Sequence, residues 1–167
     1  MFWLKRIIFP LLFIIILIVV GCNKGLEPEY DNPGFSGRVT FKGTWPDSIK
    51  RTYIIVFDSL LEESNDFNLY NIKFISGELP FGLSYYEFDS RDSALIPIDA
   101  GVYAYVAVVQ QATPQPSFNV KDWIVAGVYY ANTDTTRPGQ LVISSDTFVK
   151  NINITCDFNN PPPQPPR

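Results

Sequence analysis

Two hydrophobic regimes divide the chain. From Ile7 to Val20 fourteen residues are all apolar, interrupted only by Pro10. From Phe35 onward the apolar positions come in short runs bounded by turn residues, a pattern of strands rather than helices. Arg38-Val39-Thr40-Phe41-Lys42 alternates strictly, with Val39 and Phe41 on one face and charged or hydroxyl groups on the other. Trp45-Pro46-Asp47 marks a turn, and Tyr53-Ile54-Ile55-Val56-Phe57 is a β-branched and aromatic run suited to a central strand. Residues 58–76 are the least legible. Leu60-Leu61-Glu62-Glu63 suggests a helical turn, and the apolar phase of Phe67–Phe74 slips at Leu69-Tyr70, as at a bulge or a strand start. Further strands are expected at Tyr85–Phe88 and Ala94–Ile98.

Gly101–Gln111, almost wholly Val, Ala and Tyr, is the strongest element. Ala112–Asp122, with Pro114 and Pro116, reads as a long connection, followed by a strand over Trp123–Ala131 and a polar loop to Gly139. Leu141–Ile143 and Thr147–Phe158 complete the set, the latter with Phe148, Ile152, Ile154, Cys156 and Phe158 on one face. The last four strands suit a meander. Short strands, scarce helix signal and regularly spaced turns predict an all-β, seven- or eight-strand sandwich over residues 35–160. The proline-rich 161–167 is expected as an exposed polyproline II tail.

The N-terminal apolar run is too short for a permanent span of a hydrocarbon core, which takes roughly 20 residues. Lys5-Arg6 precede it as a short positive region, and Val19-Val20-Gly21-Cys22 follows it. This order of charge, apolar run and Val-Val-Gly-Cys resembles the signal peptide and lipobox of bacterial lipoproteins. The resemblance implies cleavage of residues 1–21, diacylglycerol on the Cys22 thiol, and a membrane partner reached through that anchor. Two or three acyl chains hold firmly where one binds only marginally. Asn23 stands where an inner-membrane retention signal would have Asp, so the resemblance points to a cell-envelope location, the outer membrane rather than the inner. Residues 22–34 then form the lipidated cysteine and a polar tether of about 12 residues, reaching roughly 40 Å when extended.

The chain's formal charge of −4 becomes −6 once residues 1–21, with their two cations Lys5 and Arg6, are set aside. An acidic body has no electrostatic reason to hold nucleic acid. Histidine is absent altogether, which removes the usual general base and the commonest transition-metal ligand. The two cysteines are Cys22 and Cys156, and alternation places Cys156 inward as a small apolar filler. Asp89-Ser90-Arg91-Asp92 lacks the spacing of a calcium loop and carries a cation, so it reads as a solvated turn. No glycine-rich phosphate loop is present. No catalytic residue, metal ligand or cofactor site is expected, and the protein does not read as an enzyme.

Ser36-Gly37-Arg38-Val39-Thr40-Phe41, Tyr53–Phe57, and Ile96-Pro97-Ile98-Asp99-Ala100-Gly101-Val102-Tyr103 together resemble the carboxypeptidase regulatory-like, or prealbumin-like, domain. That resemblance covers roughly residues 35–111 and implies a seven- or eight-strand module without catalysis. It also implies that Gly101 supplies a backbone conformation a β-carbon would resist, with Tyr103 packed beside it.

The aromatics are the one suggestive feature. Trp45, Trp123, Tyr129 and Tyr130 are candidates for stacking on a ligand, since one of two adjacent strand tyrosines should face out. The plainer alternative is that they fill and rim a core. Two functions remain open: a non-catalytic binding or structural accessory, with another envelope protein as a possible partner, or a glycan- or peptide-binding component of a surface uptake system.

Overall fold

The computed structural model describes residues 33–166 apart from 118 and 133; the expected signal peptide, Cys22 and the expected tether up to residue 32 lie outside the described residues. Ten strands run in chain order as β1 (Gly34–Lys42), β2 (Arg51–Phe57), β3 (Ile72–Ile75), β4 (Tyr85–Asp89), β5 (Gly101–Tyr103), β6 (Tyr105–Gln111), β7 (Trp123–Tyr129), β8 (Leu141–Ile143), β9 (Phe148–Val149) and β10 (Ile154–Asp157). Eight form one mixed sheet in the order β3-β2-β6-β7-β10-β1-β4, with β9 also on β1, and β5 pairs with β8 in a second, small sheet. The class is all-β and sandwich-like. The large sheet curls: Phe35 of β1 lies edge-on to Phe74 of β3, five places away in strand order, with ring centroids 5.1 Å apart.

Two cores result. Inside the curl, Phe35, Val39, Ile54, Val56, Phe74, Val106, Val108, Leu141, Ile154 and their neighbours form the first. The opposite face of β2, β6 and β7 carries the second, built on Tyr53, Ile55, Phe57, Tyr105, Val109, Trp123 and Val125. Strand β6 is therefore buried at all seven positions, including Gln110 and Gln111. The Gln111 side chain donates to the Ser117 carbonyl at 2.5 Å, so a buried amide satisfies part of the 112–122 connection.

The second core is covered by chain rather than by a sheet. Residues 58–71 are held in place by polar side chains: the Asp66 carboxylate accepts from the Glu62 and Glu63 amides at 2.8 and 2.7 Å. Buried Asn71 accepts from the Ser59 amide and donates to the Asp66 carbonyl, both at 2.8 Å. This frame presses Leu61 and Phe67 onto the sheet. The expected helical turn at 60–63 is instead a single 3-10 turn at Ser64–Asp66, because the capping carboxylate belongs to Asp66.

Several expectations are corrected. Gly101–Gln111 is two strands. Tyr103 is buried in the first core and Tyr105 in the second, whereas residues two apart in a regular strand share a face, so the chain changes sheets at Ala104. Gly101 is not at a positive φ; a β-carbon there would meet the Tyr103 hydroxyl at 2.8 Å, and that hydroxyl donates to the Asp99 carbonyl at 2.8 Å. Residues 94–98 contribute one isolated bridge, Ile75 to Ile96, since Pro97 has no N–H for a ladder. The terminal meander is absent: β8 joins the small sheet, while β9 and β10 both run parallel to β1.

Thr147–Phe158 is likewise interrupted. Between β9 and β10 the backbone passes through Asn151 at φ 67° and stays on β1, where the Ile152 amide donates to the Ser36 carbonyl at 3.0 Å. Gly37 permits this crossing, because a β-carbon on it would stand 2.1 Å from the Ile152 carbonyl oxygen. Alternation resumes beyond the break, and Ile152, Ile154 and Cys156 are all buried. Cys156 is a free thiol at 0% exposure, and burial pushes its pKa well above the ordinary thiol value.

Gly37→Ala should therefore destabilise the protein by about 3 kcal/mol in urea unfolding, by overpacking backbone that has no room to shift. Asn151→Gly should be neutral or stabilising, since it removes only a left-handed strain. A Gly37→Ala cost within about 0.5 kcal/mol, the range of ordinary surface substitutions, would contradict the crossing.

Cys156→Ser should cost about 1–3 kcal/mol by enclosing a hydroxyl in an apolar site. In the wild type the thiol should react with an aromatic disulfide reagent slowly when folded and rapidly in denaturant. Rapid native labelling would contradict the register of β10.

Candidate functional site

The four candidate stacking residues divide between the two cores. Trp45, in the β1–β2 loop, is half-buried among Phe41, Phe81 and Phe158, with centroids 4.4, 5.0 and 5.1 Å away. Its indole N–H donates to the Leu83 carbonyl at 2.9 Å. Trp123 opens β7 and is only 6% exposed, packed against Tyr53 and Phe67. It offers no face to a ligand. The neighbours Tyr129 and Tyr130 do point to opposite sides, yet both are half-buried, because the sheet is covered on each face here. Tyr129 packs on the first core and Tyr130 on the second. The structure thus brings no two of these four onto one exposed strip. The pair Tyr85-Tyr86 behaves as alternation expects: Tyr86 is half-buried, while Tyr85 is exposed under the Arg38 guanidinium at 5.2 Å.

A different surface is built where β6 and β7 meet the tail. β10 pairs with β7 only at Gly127–Tyr129, so toward Trp123 the outer edge of β7 is left without a strand. The tail supplies the missing bonds. The Gln164 side-chain oxygen accepts from the Val125 amide at 2.9 Å, and its Nε2 donates to the Val125 carbonyl at 2.8 Å. One side-chain amide thereby reproduces the paired bonds of a neighbouring strand. The flanking Pro162 and Pro165 are half-buried, so the tail is not the freely exposed segment expected from its sequence.

The prolines wall one side of an open groove of about 220 Å³ whose other side is Leu61, Tyr105, Val128, Tyr130 and Pro138. It continues past Leu61, Tyr105 and Pro138 into a cleft of about 640 Å³ bounded by Leu60, Arg137 and Gln140. Burial raises the pKa of the Tyr105 phenol far above its ordinary value, with Tyr130 adding to the effect, and burial raises that of Tyr130 as well. Both phenols are therefore neutral hydrogen-bonding groups throughout the physiological range.

A polar hollow of about 400 Å³ lies over the Gly37 crossing, lined by Arg38, Glu87, Lys150, Asn151 and Asn153. Its Arg38 is paired with Glu87 at 2.5 Å, a solvent-exposed pair of little energetic weight. At the Asp89–Asp92 turn, Arg91 bonds the Asp89 carboxylate at 2.7 Å and lowers its pKa, and the same guanidinium lies 4.0 Å over the Phe148 ring. Ser90 is buried and accepts from the Phe35 amide at 2.8 Å. The turn is closed by its own cation. Among the described residues no three His, Cys, Asp or Glu side chains are grouped as a metal centre requires.

Gln164 and Tyr105 were not singled out by sequence reasoning. The available signal was slight: Gln164 is the one non-proline within Pro161–Pro166, and Tyr105 falls in what reads as an uninterrupted strand. What the arrangement offers is apolar and aromatic contact with a directed amide pair. Comparison with known proteins finds no matching family model, no similar curated protein and no similar solved structure.

Proposed function

We propose that this protein is a lipid-anchored cell-envelope protein whose all-β body serves a non-catalytic binding or structural accessory role. The observation that carries the reading is the ordered set Lys5-Arg6, apolar Ile7–Val20 and Val19-Val20-Gly21-Cys22. Of the two cysteines, Cys156 is enclosed in the first core, which supports Cys22 as the acylated one. Acyl chains on Cys22 hold the chain at the membrane, and Asn23 favours the outer one. The resemblance of residues 35–111 to a prealbumin-like module supports an accessory rather than a catalytic part. A second reading, a ligand-binding component of a surface uptake system, is favoured in its peptide form by the open Tyr105–Tyr130 groove, beside which a proline-rich segment already docks through Gln164.

In cells fed an alkyne-bearing fatty acid, the wild-type protein should be labelled and migrate as the processed form. Cys22→Ala should be unlabelled and accumulate as a larger precursor. Label retained on Cys22→Ala would overturn the anchor. Purification of the native protein from membranes in mild detergent tests the accessory role, which predicts a reproducible partner protein.

A further inference from the structure

We propose that the surface of Tyr105, Val128 and Tyr130, with the open sheet edge at Val125, is a recognition site for proline-rich peptide of a partner protein, and that the chain's own Pro162–Pro166 docks beside it in cis. This goes beyond the anchored-accessory reading and stands whether or not Cys22 is acylated.

The chemistry is that of polyproline recognition. Five of the six residues Pro161–Pro166 are proline, so five of the six φ angles are already fixed near −65° and little backbone entropy remains to be lost on docking. Aromatic and apolar side chains line the surface beside them, with Tyr105 at the start of β6 and Tyr130 just past the end of β7. Proline rings alone specify nothing about register. Gln164 does, because its amide can pair only with a residue whose N–H and C=O both face the open edge of the sheet. Val125 is that residue: its two groups turn away from β6 at a point where β10 has ended. Gln164 Nε2 also reaches the Pro162 carbonyl at 3.1 Å, which fixes the side chain against its own backbone. The site therefore reads Pro-x-Gln-Pro-like sequence through one glutamine and its flanking rings.

Two features make the occupant exchangeable. Among the described residues, no hydrogen bond other than those of Gln164 joins 161–166 to the sheet. The groove beside the tail is open and runs on past Leu61, Tyr105 and Pro138 into the cleft beside Leu60, Arg137 and Gln140, so a longer peptide has room to extend. The cis tail acts as a competitor that lowers apparent affinity by the fraction of time the site is open.

The test uses the detergent-solubilised full chain and a fluorescent peptide of sequence Asn-Asn-Pro-Pro-Pro-Gln-Pro-Pro-Arg, read by anisotropy. The wild type should bind it weakly, and Gln164→Ala protein should bind at least about tenfold more tightly because its own tail is released. A peptide with Gln replaced by Ala should lose binding to both proteins. Tyr130→Ala should lose binding while keeping the wild-type circular dichroism spectrum. Equal affinity of wild type and Gln164→Ala, or equal binding of both peptides, would overturn the proposal. Peptide capture that occurs only in a concentration-dependent dimer would assign the groove to a second copy and overturn the partner assignment.

Discussion

Strands β2 and β6 are apolar on both faces, and the rest of the fold answers that constraint. A sheet of this kind exposed on one side would leave Tyr53, Ile55, Phe57, Tyr105, Ala107 and Val109 against water. The curl of the large sheet, completed by the small one, covers the inner face. The outer face receives no second sheet, so it is covered by irregular chain: Leu61 and Phe67 from the 58–71 segment pack directly on it, with Val120 and Tyr130 beside them. Irregular chain over an apolar face must satisfy its own backbone, which explains why side-chain caps by Asp66, Asn68 and Asn71 concentrate there.

The second constraint is the parallel course of β9 and β10 along β1. Parallel neighbours from distant parts of the chain need a close fit, and here the fit is made around a missing β-carbon at Gly37 and a left-handed Asn151. The register that follows places Phe41 opposite Cys156 and Val39 opposite Ile154, closing the first core. The same register ends β10 before it can cover Val125, and this leaves the edge to which Gln164 binds. Closure of the first core and the open edge at Val125 are thus two results of one register.

Most strands were legible because their burial is periodic. Val39 and Phe41 alternate with polar neighbours, and Tyr53–Phe57 is uniformly apolar, as strands covered on one face or both should be. The sequence misled where the chain changes partner without changing composition. Ala104 separates two sheets inside a run of Val, Ala and Tyr, and no residue type there marks a break. The 58–71 cover was illegible because its structure rests on Asp and Asn side chains bonding local backbone, which has no period. Among the candidate site residues, alternation correctly sent Tyr129 and Tyr130 to opposite sides but could not reveal that both sides are covered. Trp123 reads as a strand-start aromatic and is buried because Phe67, more than fifty residues earlier, returns to cover it. The role of Gln164 depends on where β10 ends, a fact of topology rather than of local pattern.

Covering chain, and not a further strand, completes the outer face and edge of β7. Amide hydrogen exchange on the full chain measures this directly at Val125. The Val125 amide, although beyond the end of β10, should exchange more slowly than an amide at an open sheet edge, yet faster than the Val128 amide inside the ladder, because the docked tail opens. Exchange at Val125 as fast as at an open sheet edge, with β6 still protected, would contradict it.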